Sequence, residues 1–455
     1  MDLEQLYLRL PTRLQNVVVS AQGYRIQRSR YGRAFEEQLA GYESRSNRDF
    51  EQVKAHRDQR LQAFVRHAVA TVPYYRDLFA RLRLKADDIR SLEDLGQLPV
   101  LTKQTVQEQV DRFRSETFAS QSLQMHHTSG STGAGLQFPV TLESQHEQWS
   151  VWWRYRRWHG LQRNEWCLYF GGRSVVPLSQ RRPPYWRTNR PGRQLMFSAY
   201  HLSDQTIADY LVEMERSGAR WIHGYPSVVA FVAEQALRRG VRLPVRWVTT
   251  GAESLLPHQK QIVKRAFGVE PIEHYGMAEG VANISQCPHG GLHVDEDYSA
   301  VEFLPAESGA ARVIGTNFTN PAFPLLRYDV GDLATPSDDV CSCGRPGRLV
   351  ECIDGRQEDC VITRSGCRLG RLDHIFKDCV RVREAQIRQD QPGHVTIWLV
   401  TAEGYGQADE EALEREILKR VGDDLTFEIA HVDSIPRTRS GKLRFVVSNL
   451  SAEAA

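Results

Sequence analysis

The sequence lacks the long apolar runs that a bilayer demands: in 455 residues no stretch approaches the ~18 consecutive apolar residues of a spanning helix. Its first segment, MDLEQLYLRLPTRLQNVVVSAQGYRIQRSRYGR, also lacks the apolar centre and cleavage site of a secretory leader, so a cytoplasmic location is expected. That segment alternates apolar with basic residues. It reads either as an amphipathic helix capping a main domain or as a segment lying on an anionic membrane surface. An excess of charge of one sign is missing as well. With 58 Lys and Arg against 56 Asp and Glu, the net charge of +2 gives no global field to collect a polyanion, which argues against nucleic acid as a partner. Internal repeats and low-complexity tracts are absent, which removes solenoids and fibres. Cysteine is sparse and uneven: of eight, only Cys167 precedes Cys287, Cys341, Cys343, Cys352, Cys360, Cys367 and Cys379. A large cytoplasmic protein keeps thiols reduced, so the clustering points to a metal or to burial rather than to a disulfide scaffold.

What is present is an enzyme-sized globular chain. Its 41% hydrophobic and 25% charged residues suit a packed soluble protein, and its length exceeds what one core usually serves. Residues 1–120 read as helical, with apolar positions three and four apart in runs such as SNRDFEQVKAHRDQRLQAFVRHAVATVPYY. Residues 121–354 change to short apolar strands between helices, among them RWIHGYP, VRWVTTG, HVDEDYSAVEFL and ARVIGTNFT, which implies an α/β core. The order helix, strand, helix, strand from Thr206 to Glu253 predicts a parallel crossover unit, and ligands in such sheets bind at the strand ends. Residues 355–455 read as a small α+β domain, in which HVTIWLV and TFEIAHVD alternate like half-buried strands around the helix EEALEREILKRV. The boundary is expected at Asp354 to Arg356, where a turn-prone Asp-Gly pair follows a strand.

The strongest chemical signal is HHTSGSTGAGLQFPVT. Ser129, Gly130, Ser131, Thr132 and Gly133 are small and hydroxyl-rich, so their backbone amides can wrap phosphate oxygens, which suits a nucleoside triphosphate. The loop lacks the Gly-Lys-Ser/Thr ending of a Walker motif. Taken alone it also reads as a plain flexible loop.

Downstream follow TTGAES, EHYGMAEG, LLRYDVGDLA, DGRQED and IPRTRSGKLR. In order and spacing these resemble the adenylate-forming superfamily of acyl-CoA synthetases, adenylation domains and luciferases. The tract YYRDLF to SLEDLGQLPVLTK is similar to the phenylacetate-CoA ligase branch with its capsule-biosynthesis relatives. The resemblance implies a large N-terminal domain with mixed and parallel sheets and helices, and a small mobile C-terminal domain. It also implies ATP, Mg²⁺ and coenzyme A as cofactors. Lys442 matches the lysine that bridges carboxylate and α-phosphate, Glu279 the Mg²⁺-holding glutamate, and Asp332 the ribose-binding aspartate. Arg356 matches the junction arginine that meets the nucleotide, while Gly251, Ala252, Glu253, Tyr275 and Gly276 match the wall around adenine and the acyl group. Gly366 matches a pantetheine-channel glycine, with Arg368 near phosphate charge, although Gly366 is equally an ordinary turn glycine. Two departures stand out. Ala278 occupies a place where many members have Thr, and the hinge carboxylate falls at either Glu358 or Asp359.

These roles agree with the chemistry. Adenylation joins two anions and so requires cationic shielding, a metal for pyrophosphate and tight positioning. Outside the nucleotide motifs, QCPHGGLHVD and VCSCGRPG supply Cys287, His293, Cys341 and Cys343, a closed set suited to a structural Zn²⁺, with His289 as the alternative imidazole. The expected function is ATP-dependent activation of an aromatic or other bulky acid and its transfer to coenzyme A, with the acyl pocket drawn from WWRYRRWHG and HGYPS. The same aromatic helix also reads as plain core. Alternatives are transfer to an amine or hydroxyl acceptor, or a non-catalytic nucleotide-binding homologue. A homodimer stays open.

Overall fold

The computed structural model describes residues 3–128, 136–172, 175–252, 255, 257–305, 311–354, 361–366, 368–369, 372–376, 381–401, 404–436, 446–448 and 450. Helices fill the first stretch: α1 (Leu3–Leu8), α2 (Thr12–Arg30), α3 (Arg33–Arg45), α4 (Phe50–Thr71), α5 (Pro73–Leu82) and, after two 3-10 turns, α6 (Lys103–Glu108). α4 begins where the Asp49 carboxylate accepts from the Gln52 amide, and α6 where the Thr102 hydroxyl accepts from the Thr105 amide. Leu61, Phe64, Val65 and Ala68 recur at helical spacing on α4 and bury in one core with Val281, Ile284, Val313 and Phe323. On α2, Gly23 lets the chain approach Asn189, whose amide oxygen would lie 1.9 Å from any Cβ there.

β1 (Gln124–His127) and β2 (Gln137–Val140) pair antiparallel and lead into α7 (Leu142–Trp158), capped by Thr141. Most of α7 is buried, including polar Gln145, Gln148, Arg154 and Arg156, an unusual state for a helix so rich in charge.

A six-stranded sheet follows, made of β3 (Cys167–Gly171), β4 (Trp186–Asn189), β5 (Gln194–Ser198), β6 (Trp221–Gly224), β7 (Trp247–Thr250) and β8 (Pro271–Ile272) in the order β4-β5-β3-β6-β7-β8. All neighbours are parallel except the edge strand β4. The expected crossover unit is present as α8 (Ile207–Ser217), β6, α9 (Pro226–Arg238) and β7, followed by α10 (Pro257–Phe267). Strand register aligns Leu168, Ile222 and Val248 on one face, buried with Met214, Val229 and Val232 of the helices. By the two-residue period, Cys167, Trp221 and Trp247, and then Tyr169, His223 and Thr249, line the other face.

The next sheet is antiparallel throughout: β9 (His274–Gly276), β10 (Asn283–Gln286), β11 (Leu292–Val294), β12 (Ala300–Pro305), β13 (Ala311–Thr316), β14 (Tyr328–Ser337) and β15 (Leu349–Asp354), in the order β12-β13-β14-β15-β11-β10-β9. The tract HVDEDYSAVEFL, expected as one strand, is two: β11 stops at Val294 and β12 starts at Ala300. The break holds three successive buried acids. Asp295 binds Arg154, Glu296 binds Arg57 and Arg348, and Asp297 binds Arg154 and Arg45. Charge therefore fastens α3, α4 and α7 to this sheet.

The last part holds a hairpin of β16 (Val361–Ile362) and β17 (Arg368–Leu369), then β18 (Val382–Gln391), β19 (His394–Thr401), α11 (Gln407–Val421), β20 (Thr426–His431) and β21 (Val446–Ser448). The other four strands form a sheet in the order β20-β19-β18-β21 over a core of their own that includes Phe376, Ile387, Ile397, Leu413 and Ile417. The whole is a mixed α/β fold.

Candidate active site and metal centre

The parallel strands β3, β6 and β7 end together at Gly171, Gly224 and Thr250, which are partners or near-partners in register. α7 packs on this sheet through Trp153, against Cys167 and Trp221 at the starts of β3 and β6, and also meets the antiparallel sheet. Trp152 donates from Nε1 to Asn283 of the antiparallel sheet (3.0 Å), and Gln148 donates to the Met277 carbonyl (3.0 Å). On another side Trp153 meets Trp221 of the parallel sheet edge-on, with centroids 5.9 Å apart. Gln148 and Trp152, four apart, share one side of the helix, and Trp153 lies about 100° round from Trp152, so α7 serves both sheets at once.

The chain past β7 carries Gly251 and Ala252, two of the residues expected in a wall around a nucleotide. Ala252 adopts a left-handed backbone (φ 69), a costly state for a residue with a Cβ. A Cβ on Gly251 would come within 3.2 Å of the His274 carbonyl, and one on Gly276 within 2.7 Å of Asn283 Oδ1. Glycine at both places is a close-approach requirement. Tyr275, on β9, donates its hydroxyl to Asp332 Oδ2 at 2.8 Å, across from β14. Two residues 57 apart in sequence, both expected at the nucleotide, are thus in contact. Glu279 lies half-buried in the turn after β9, held where Asn317 Nδ2 donates to its backbone carbonyl (2.9 Å). A carboxylate there is the oxygen donor that Mg²⁺ prefers.

Next to this wall lies an aromatic and imidazole cluster. Tyr155 stacks on His274 at 4.7 Å, Tyr169 stacks on His223 at 5.6 Å, and Trp152 meets His274 edge-on at 5.4 Å. Asn283 gives its amide N–H to Asp295 (2.5 Å), so its carbonyl accepts from His274 Nε2 (3.0 Å). His223 Nδ1 meets the Thr249 hydroxyl at 2.8 Å and the Thr249 carbonyl at 3.1 Å. Burial, reinforced by the Arg156 charge, pushes both imidazoles down to about 3. They are neutral at physiological pH. The aromatic stretch of α7 therefore packs on the parallel sheet through Trp153 and on His274 through Trp152 and Tyr155. Arg156, His274 and Asn283 were not singled out from sequence. The signal for Arg156 was a basic residue interrupting an aromatic helix, which spacing alone assigns to either face.

The Cys and His cluster assembles as expected. Ligand atoms of Cys287, His293, Cys341 and Cys343 all lie within 4.8 Å of one another. Cys287 Sγ to Cys341 Sγ is 3.6 Å and Cys343 Sγ to His293 Nε2 is 3.3 Å, close to the edges of a tetrahedron with ~2.3 Å metal–sulfur bonds. His293 Nδ1 donates to the Pro346 carbonyl (3.2 Å), which aims Nε2 at the thiols. A Cβ on Gly291 would be 2.9 Å from Cys341 Sγ, so the glycine makes room for sulfur. His289 instead meets the Ser342 hydroxyl at 2.9 Å. The donor set fits Zn²⁺.

Ser129, Gly130, Ser131, Thr132, Gly133, Glu253, Arg356, Glu358, Asp359 and Lys442 lie outside the described residues. Arg368 is described as part of β17 only. Gly366 closes the β16–β17 turn with φ 81, its amide donating to the Thr363 carbonyl, and a Cβ there would meet nothing within 4 Å.

Comparison with known proteins adds to this geometry. The family described as the CapK C-terminal domain matches residues 361–449. Protein CapK of Staphylococcus aureus is 24% identical over 98% of this chain and 100% of its own. A phenylacetate-coenzyme A ligase of Thermus thermophilus is 25% identical over 87% of this chain and 96% of its own. A solved 2-hydroxyisobutyryl-CoA ligase, in complex with its acyl-AMP and CoA, superposes with a TM-score of 0.57 at 18% identity, covering 89% of this chain and 91% of that one. That likeness shows the fold.

Proposed function

We propose, starting from this chain's place among the adenylate-forming ligases with CapK and the phenylacetate-coenzyme A ligases as homologues, that it activates a carboxylic acid with ATP and passes the acyl group from the acyl-adenylate to coenzyme A. The observation that carries the reading is the Tyr275–Asp332 contact, set against the close-approach glycines Gly251 and Gly276 and beside the aromatic cluster. Asp332 offers carboxylate oxygens to a ribose diol, and Tyr275 orients it. The acyl chain lies among Trp152, Tyr155, Tyr169 and His223, where neutral imidazoles add no charge. Lys442 shields carboxylate and α-phosphate as they meet, and Ser129 to Gly133 wrap the phosphates. Glu279 would hold Mg²⁺, whose contribution is to neutralise the leaving pyrophosphate. Gly366 and Arg368 belong to the thiol channel in this reading.

A second acceptor stays in view for a specific reason. The C-terminal region is the part matched as the CapK C-terminal domain, and this is the region that would meet the acceptor. Transfer to an amine or hydroxyl is therefore the alternative. Peripheral membrane contact through α2, whose Leu14, Val17, Val18 and Tyr24 stay exposed, and a homodimer are both compatible with the reading, and neither is required by it.

The test is acid-dependent ATP–pyrophosphate exchange over a panel of acids, repeated with coenzyme A. Exchange followed by AMP and thioester formation is the expected result. Exchange without thioester assigns the second acceptor class, and no exchange with any acid overturns the proposal.

We assign the Cys287, His293, Cys341 and Cys343 cluster to a structural zinc. All four positions are taken by protein ligands, which leaves no open coordination site for chemistry.

A further inference from the structure

Arg156 is a charge without a local purpose. It is 5% exposed, on α7, and its Nε, like that of Arg154, has no hydrogen-bond partner. Among the described residues no carboxylate pairs with it. Its surroundings are rings: Trp153 at 5.1 Å, Tyr155 at 5.3 Å and Trp221 at 5.6 Å from the guanidinium carbon. The polar group set against it is the Tyr155 phenol. Three ring faces return part of the desolvation cost of a guanidinium, but an unpaired buried cation remains expensive. The same helix shows what pairing looks like. Arg154, at 4% exposure, reaches Asp295 at 2.6 Å and Asp297 at 2.8 Å.

Position gives the unpaired charge a meaning. Tyr155, which it touches, stacks on His274, and His274 supplies the carbonyl beneath Gly251. Trp221, which it also touches, precedes His223 by two residues on β6 and Gly224 by three, so Arg156 sits roughly 7 to 10 Å back from the strand ends. It packs against the aromatic and imidazole cluster that adjoins the expected nucleotide wall.

We infer that Arg156 recognises a second anionic group on the acid, set back from the reacting carboxylate by about the length of a ring or a short chain, so that the substrate class is a dicarboxylic acid or an acid bearing an equivalent distal anion. This rests on the proposed acid activation. Arg156 then supplies charge-assisted hydrogen bonds to the distal anion and determines specificity, while the other end of the acid meets ATP.

The experiment measures kcat/KM for pyrophosphate exchange with dicarboxylates of graded length, terephthalate and suberate among them, each against its own monoamide, which keeps shape and removes the distal charge. At one length or more the wild-type protein should prefer the dicarboxylate by at least about tenfold, the scale of a hydrogen bond to a charged group. Arg156→Gln should abolish that preference while leaving the monoamide within a few-fold of wild type, and Arg156→Lys should keep part of it. Exchange that never favours the dicarboxylate in the wild-type protein, or equal loss for both members of a pair in Arg156→Gln, overturns the inference and leaves acid activation standing. If no acid supports exchange, acid activation fails, and calorimetric binding of the dicarboxylates decides the inference: binding lost in Arg156→Gln upholds it, and no binding to the wild-type protein overturns it.

Discussion

Two arginines two residues apart on α7, Arg154 and Arg156, are removed from solvent to almost the same degree and have opposite surroundings. Arg154 faces the antiparallel sheet and the acids between β11 and β12. Burial alone would raise Asp297, yet Arg154 and Arg45 hold it low. Asp295 stays raised by its burial despite Arg154 and the donors Ser285 and Asn283. Every group in that set has a partner within the fold. Arg156 faces the parallel sheet, rings and two imidazoles that its field helps keep neutral. A satisfied buried charge is part of the architecture. An unsatisfied one, beside a candidate ligand wall, is what the inferred distal anion of the substrate would complete.

Stability measurements break or sharpen this contrast. Arg154→Gln removes one partner from two buried carboxylates and should cost about 3 to 5 kcal/mol in denaturant unfolding, the range for a broken buried ion pair. Cys341→Ser should lose most of the roughly one equivalent of zinc expected in protein purified without chelator, and should melt lower, because metal binding is folding energy in a closed four-ligand site. Exchange activity in its folded fraction should persist, since no zinc ligand is a nucleotide residue. Metal-free wild-type protein, or a zinc-replete but inactive variant, contradicts that assignment. Asp332→Ala should weaken ATP binding by about 1 to 3 kcal/mol, and unchanged affinity in calorimetry removes it from the ribose site. Arg156→Gln should be the mildest for the fold, within about 1 kcal/mol of wild type and of either sign, because it deletes a desolvated charge as well as its ring contacts. A loss as large as that of Arg154→Gln makes Arg156 a structural cation like its neighbour.

Legibility in the sequence follows the range of the interactions involved. RWIHGYP and VRWVTTG are strands as read, because a short apolar run and a flanking helix are local facts. The four metal-cluster residues were legible because short loops bring each cysteine pair or cysteine–histidine pair together before any tertiary structure is considered. HVDEDYSAVEFL misled because its alternation continues through the acid triplet, and only the distant Arg45, Arg57, Arg154 and Arg348 explain why those acids leave the strand and bury. Tyr275 and Asp332 were nameable through resemblance, yet their contact depends on strand order in a seven-stranded sheet, which periodicity does not encode. Arg156 was illegible for the same reason. Whether a buried arginine has a carboxylate is decided by a neighbouring sheet.

The central claim is that this chain joins an acid to AMP, and the most direct measurement compares its two half-reactions in wild-type and Lys442→Ala protein. Wild-type protein should exchange pyrophosphate into ATP in the presence of a suitable acid without coenzyme A. Lys442→Ala should lose that exchange by several orders of magnitude while still converting a supplied acyl-adenylate and coenzyme A to the thioester, because the lysine charge is needed when two anions meet and not afterwards. Undiminished exchange in Lys442→Ala, or equal loss of both half-reactions, would contradict the account.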